Sequence, residues 1–104
     1  MINIKTYTVN SRVTALQAQA LANDFLSNSL PDRFTANLAE WIDDKWRISI
    51  ILTYPHIGSL GEVGELRMDA ETGTILSHTP LDRIKQIGLE LYTANQDAIE
   101  STFL

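Results

Sequence analysis

The chain contains no cysteine, which excludes a disulfide framework and any zinc site built on thiolates. A cysteine-free chain suits a reducing compartment. Long hydrophobic runs are also missing: nowhere is there the apolar stretch of roughly 18 residues that a membrane-spanning helix needs. The opening residues, MINIKTYTVNSR, lack an apolar core of signal-peptide length. A soluble, cytoplasmic protein is therefore the expectation. Basic residues are scarce, with eight Lys and Arg against thirteen Asp and Glu, for a net charge of -5. The eight are scattered as Lys5, Arg12, Arg33, Lys45, Arg47, Arg67, Arg83 and Lys85. Nucleic-acid binders cluster such residues to neutralise phosphates, so that class is excluded. No polybasic patch is present for an anionic membrane surface.

What remains is a chain of 104 residues, the size of one domain, expected to span residues 1–104 and to bury a core of its own. Residues 1–10 are β-rich in composition and predict an edge strand or an irregular arm. Residues 11–30 predict a helix, with Ser11 as N-cap and Pro31 ending it. One face gathers Ala15, Ala18, Leu21, Ala22, Phe25 and Leu26, and a second apolar group is formed by Val13, Leu16 and Ala20. The alanines would let this helix lie close against a sheet.

Residues 33–42 alternate, with Phe34, Ala36 and Leu38 on one face, and predict a strand that ends in an Asp43-Asp44-Lys45 turn. The clearest strand covers residues 46–54, with Trp46, Ile48, Ile50, Leu52 and Tyr54 on one face and Arg47, Ser49 and Thr53 on the other. Ile51 interrupts that polar face. Residues 55–61 predict a loop, too long for a two-residue hairpin. Residues 62–69 predict a strand with Gly64, Leu66 and Met68 inward. The Asp69-Ala70-Glu71-Thr72-Gly73 turn follows, then a short strand over 74–77. Thr79 is the expected cap of a last helix over residues 80–101, whose stripe includes Leu81, Ile84, Ile87, Gly88, Leu91 and Ile99. Asn95 falls inside that stripe and needs a hydrogen-bond partner if buried. The order of elements predicts an α+β domain: an antiparallel sheet of about four strands, an N-terminal helix packed on it, and a C-terminal amphipathic helix.

Residues 46–76 resemble the PepSY domain and its PepSY-like relatives. The resemblance rests on Trp46 opening a strand, Gly61 in the following loop, and the Met68-Asp69-Ala70, Thr72-Gly73 and Ile75 positions of the closing turn. It implies a cystatin-like helix on an antiparallel sheet and a non-catalytic role, associated with inhibition of peptidases or with regulatory binding. The helix over residues 80–101 is an addition to that pattern, and the matching residues are structural in character.

No catalytic, cofactor or metal signature is present. Gly58-Ser59-Leu60-Gly61 is not the G-x-S-x-G elbow of a hydrolase, and Gly58, Gly61 and Gly64 precede no helix that could make a dinucleotide fingerprint. His56 and His78 would need to converge with Glu62 or Asp82 to hold a metal. Asp43 and Asp44 are turn residues rather than an acid–base pair. The candidate binding loop is therefore Tyr54, His56 and Ser59, and the candidate interface is Trp41, Ile51 and Leu89. Apolar outliers (Val13, Leu16, Ile51, Leu89, Phe103 and Leu104) predict self-association, with a homodimer as its default form. The expected function is a small non-catalytic interaction or regulatory domain. The alternatives are an inhibitor of a peptidase or toxin-like protein, and a small-ligand binder or enzyme on a cystatin-like scaffold.

Overall fold

The computed structural model of the chain describes residues 12–102. The arm expected over residues 1–10, the capping role of Ser11, and the outliers Phe103 and Leu104 lie outside the described residues. The first helix, α1, covers Ala15–Ser29 and is capped by Thr14. The Thr14 hydroxyl accepts the Gln17 amide hydrogen at 3.1 Å, and the Gln17 carboxamide oxygen accepts that of Thr14 at 2.9 Å. Thr14 has a glutamine three residues on and can close this reciprocal box; Ser11 has Thr14 at that position and cannot. The helix ends at Leu30, which is extended ahead of Pro31. Ala18, Ala22 and Leu26 are its buried residues.

Five strands follow: β1 Phe34–Ala36, β2 Glu40–Ile42, β3 Lys45–Tyr54, β4 Gly58–Met68 and β5 Ile75–His78. All pair antiparallel in the order β1-β3-β4-β5, and β2 also pairs with β3. The single strand expected over residues 33–42 is thus two short ones on the same edge of β3. Ala36 lies opposite Ile50 and Glu40 opposite Arg47, so four steps along this edge face three along β3. The extra residue inverts the alternation. Ala39 is buried, and Leu38, expected inward, is 55 % exposed.

Two turns explain the long hairpins. Asp43 and Asp44 have φ of 52° and 61° between the paired Ile42 and Lys45, the signature of a type I′ turn that matches the twist of the flanking strands. Between β3 and β4 the expected seven-residue loop is replaced by a tight reversal at Pro55-His56-Ile57, with Tyr54 already paired to Gly58. Gly58 and Gly61, which look like loop glycines in sequence, both take positive φ: Gly58, at 95°, leaves the reversal and pairs with Tyr54, and Gly61, at 147°, sits beside a register shift within the ladder. The backbone freedom of Gly61 lets the strand bend without ending. The Asp69 turn forms as expected. Its carboxylate accepts the amides of Glu71 and Thr72 at 2.8 and 2.9 Å, and Gly73 closes it with φ of 75°.

The C-terminal helix is broken at Asn95 into α2, Leu81–Ala94, and α3, Gln96–Ser101. The Asn95 side chain donates to the Leu91 carbonyl at 2.8 Å. Thr79, the expected cap, serves the sheet instead: its hydroxyl accepts the Glu65 amide at 3.0 Å, and its own amide donates to the Glu65 carbonyl at 3.0 Å.

Both α1 and α2 lie on one face of the sheet. Ile48, Ile50, Leu52, Leu66 and Met68 are buried there with Ala18, Ala22 and Leu26 of α1 and Ile84 of α2. A β-carbon at Gly64 would come within 3.0 Å of the Ile84 and Thr79 side chains, so even alanine there would require both to shift slightly. At the opposite end the Trp46 indole donates to the Val13 carbonyl at 2.8 Å, tying the entrance of α1 to the start of β3. The α+β layout expected from the sequence is the one observed.

Candidate functional site

The turn that carries Tyr54 and His56 is built by Pro55. Proline presets the second turn position, His56 takes φ of 70° at the third, and the Ile57 amide donates to the Tyr54 carbonyl at 3.2 Å. His56 is exposed at the tip. Ser59 is also exposed, but within β4 opposite Thr53. Tyr54 is half-buried and turns the other way, toward α2, with its ring 6.2 Å from that of Tyr92. The structure therefore separates Tyr54 from His56 and Ser59.

Tyr54 instead borders two hollows on either side of Arg33. One is a groove of about 360 Å³ between the α1–β1 connection and α2. Its floor is made by the buried Leu52 and Gly88 and the half-buried Phe34, and Leu89 and Tyr92 form its helical wall. Glycine is needed at position 88, since a β-carbon there would lie 2.9 Å from the Phe34 ring. The other hollow, of about 520 Å³, continues over Ser27, Thr53 and Pro55.

Arg33 separates the two. Its φ is 95°, a region that costs a non-glycine residue roughly 1–3 kcal/mol. Its carbonyl accepts the Thr53 amide at 2.8 Å, which holds the backbone in place. Its guanidinium lies over the Tyr54 ring, 5.1 Å from the centroid. Lys85 also reaches this groove from α2. Sequence reasoning missed Arg33 and Lys85, because they are 52 positions apart (85 − 33) and meet only when α2 folds back over β3.

The helix-free face of the sheet carries a charge cluster. Arg47 reaches three carboxylates: Glu65 at 2.7 Å, Glu62 at 3.1 Å and Glu40 at 3.3 Å. Arg67 adds a contact to Glu65 at 3.2 Å. The hydrogen bond that Arg47 donates to Glu65, set against partial burial, raises the Arg47 pKa above its ordinary value. Burial by itself would raise that of Glu65, but the hydrogen bonds from Arg47 and Arg67 outweigh it and hold the carboxylate below the usual range. Each of these groups has an oppositely charged neighbour, two guanidiniums among three carboxylates, and together they tie β2, β3 and β4 across this face.

The candidate interface residues fall on three separate surfaces. Trp41 packs edge-on against Trp46 at 5.0 Å, beneath the Arg12 guanidinium, at the β2 end. Ile51 is half-buried on the charged face, between Thr35 and Glu62. Leu89, 65 % exposed, stands at the groove. The His78 ring lies 5.0 Å from that of Phe25 and His78 pairs with Leu66, eight positions along β4 from Gly58 beside the His56 turn, so the two histidines do not meet. Among the described residues no group of three His, Asp or Glu side chains is placed to hold a metal ion. No described helix is long and apolar enough to cross a membrane. Compared with known proteins, the chain matches no family model, no curated protein and no solved structure.

Proposed function

We propose that this protein is a small non-catalytic interaction domain that self-associates through the sheet edge at β2. The observation that carries this reading is the state of that edge. Among the described residues β2 pairs only with β3, and it presents Trp41 at 44 % and Ile42 at 36 % exposure beside the exposed Leu38. The opposite margin of the same β3 edge is handled differently: Asn23 and Gln19 of α1 bond the outward backbone groups of Ala36. An edge left unpaired among the described residues and flanked by large apolar side chains favours pairing with another chain. A two-fold dimer would pair the same patch with itself. Sedimentation equilibrium over a range of concentrations tests this. Wild-type protein is expected to associate and Trp41→Ser to be monomeric at the same loading; a wild-type monomer throughout the range would overturn the reading.

A second reading is a PepSY-like regulator that blocks a peptidase or toxin-like protein. The helix-on-sheet layout and the Asp69–Gly73 turn favour it. A dedicated partner co-purifying at equal stoichiometry from the native source would select this reading over self-association.

A further inference from the structure

We infer that the groove between Arg33 and α2 is a binding site for a small organic acid with an aromatic or branched apolar body. Its volume of about 360 Å³ falls at the small end of the range typical of ligand sites, roughly 300–1,000 Å³. The interior surface is apolar, contributed by Phe34, Leu52, Leu89 and the two tyrosines, which suits a hydrocarbon body. The rim is cationic. In a chain of net charge -5, the groove collects Arg33 and Lys85 against the single carboxylate of Asp32. Among the described residues the ion pairs belong to Arg47 and Arg67, so neither Arg33 nor Lys85 is neutralised by a carboxylate.

The backbone adds an independent argument. Arg33 keeps a φ of 95° that glycine would adopt without strain, and stacking on Tyr54 holds its guanidinium over the tyrosine that borders the groove. A planar guanidinium presents two parallel N–H groups to a carboxylate, and Lys85, which also lines the groove, supplies a second positive charge. A carboxylate at the rim and an apolar ring over Gly88 use both features at once. The neutral analogue of the same ligand loses the charged half of the recognition.

The test is a titration of isotope-labelled protein with 3-phenylpropionate and, separately, with 3-phenylpropionamide, followed by amide NMR shifts. The acid is expected to move the amides of Phe34, Gly88 and Leu89, and to bind at least tenfold more tightly than the amide. Arg33→Gly removes the cation while keeping the backbone conformation, and Lys85→Gln removes the other charge. Each is expected to weaken the acid at least fivefold while leaving the spectrum far from the groove unchanged. Equal affinity for acid and amide, unchanged affinity in both variants, or no movement of these amides at millimolar acid would overturn the inference. Displacement of the acid by a short acidic peptide that binds far more tightly would also overturn it, by assigning the groove to a protein ligand. The groove lies at the Tyr54 end of β3 and the β2 edge at its Lys45 end, so Trp41→Ser separates failure here from failure of self-association.

Discussion

The Asn23 carboxamide oxygen accepts the backbone amide of Ala36 at 2.9 Å, so a helix side chain takes the place of a missing neighbour strand. The same oxygen accepts the Thr35 hydroxyl at 3.3 Å, and Gln19 completes the mimicry by donating to the Ala36 carbonyl at 3.1 Å. One turn of α1 thus caps one end of the sheet edge. Asn23→Ala leaves the half-covered Ala36 amide without its partner, a loss of about 1–3 kcal/mol. A lower denaturation midpoint with an unchanged m-value is the expected result in urea. An unaltered midpoint would show that water replaces the side chain at no cost.

Arg47 is surrounded by Glu40, Glu62 and Glu65, and its loss leaves three carboxylates facing one another. Arg47→Met is expected to destabilise the fold by about 1 kcal/mol at neutral pH and low salt. The deficit should shrink at high ionic strength, where exposed charges are screened. Thermal melts of both proteins in low and high salt check this; a salt-independent deficit would assign the effect to lost packing of the arginine stem.

Asp69 links the β4–β5 turn to pH. Hydrogen bonds from the Thr72 and Glu71 amides hold its carboxyl below the ordinary aspartate value, near 3.9 in an unfolded chain. The folded state therefore binds this proton less readily than the unfolded state. The turn's contribution is complete above the unfolded value and is lost as pH falls through the lowered folded value. In Asp69→Asn that part of the acid-limb dependence should vanish. Melting temperature against pH for the two proteins measures the difference, and parallel acid limbs would refute it.

Asp43 and Asp44 both occupy left-handed backbone conformations. Glycine adopts these with no side-chain penalty, so Asp44→Gly is expected to stabilise the hairpin by a few tenths to about 1 kcal/mol. That corresponds to a rise of a few degrees in melting temperature for a domain of this size. A fall would mean that the Asp44 side chain contributes more to the turn than its backbone costs.

The alternation from Trp46 to Tyr54, the alanine face of α1 and the Asp69 turn were legible in the chain because each is set by local periodicity or by a side chain bonding its own neighbours. The helix start was displaced to Thr14 because two hydroxyl residues compete for the cap and only one has a glutamine three residues on. Residues 58–61 of the expected loop are strand, because Gly61 serves a bend within the ladder, and pairing with β3 is a contact no local window contains.

The inversion at Leu38 has the same origin, an extra residue visible only against the partner strand. What the sequence by itself determined is the α+β class and order of the main elements, the core-facing residues of β3 and the acidic character of the chain. Tertiary structure alone decided that Tyr54 borders the groove of Arg33 and Lys85 while His56 is exposed at the turn, that Trp41, Ile51 and Leu89 share no surface, and that α1 guards one part of an edge where β2, among the described residues, pairs only with β3. The reason is physical: local propensity acts over a few residues, whereas grooves and edges are made by segments far apart in the chain that meet only when the core closes.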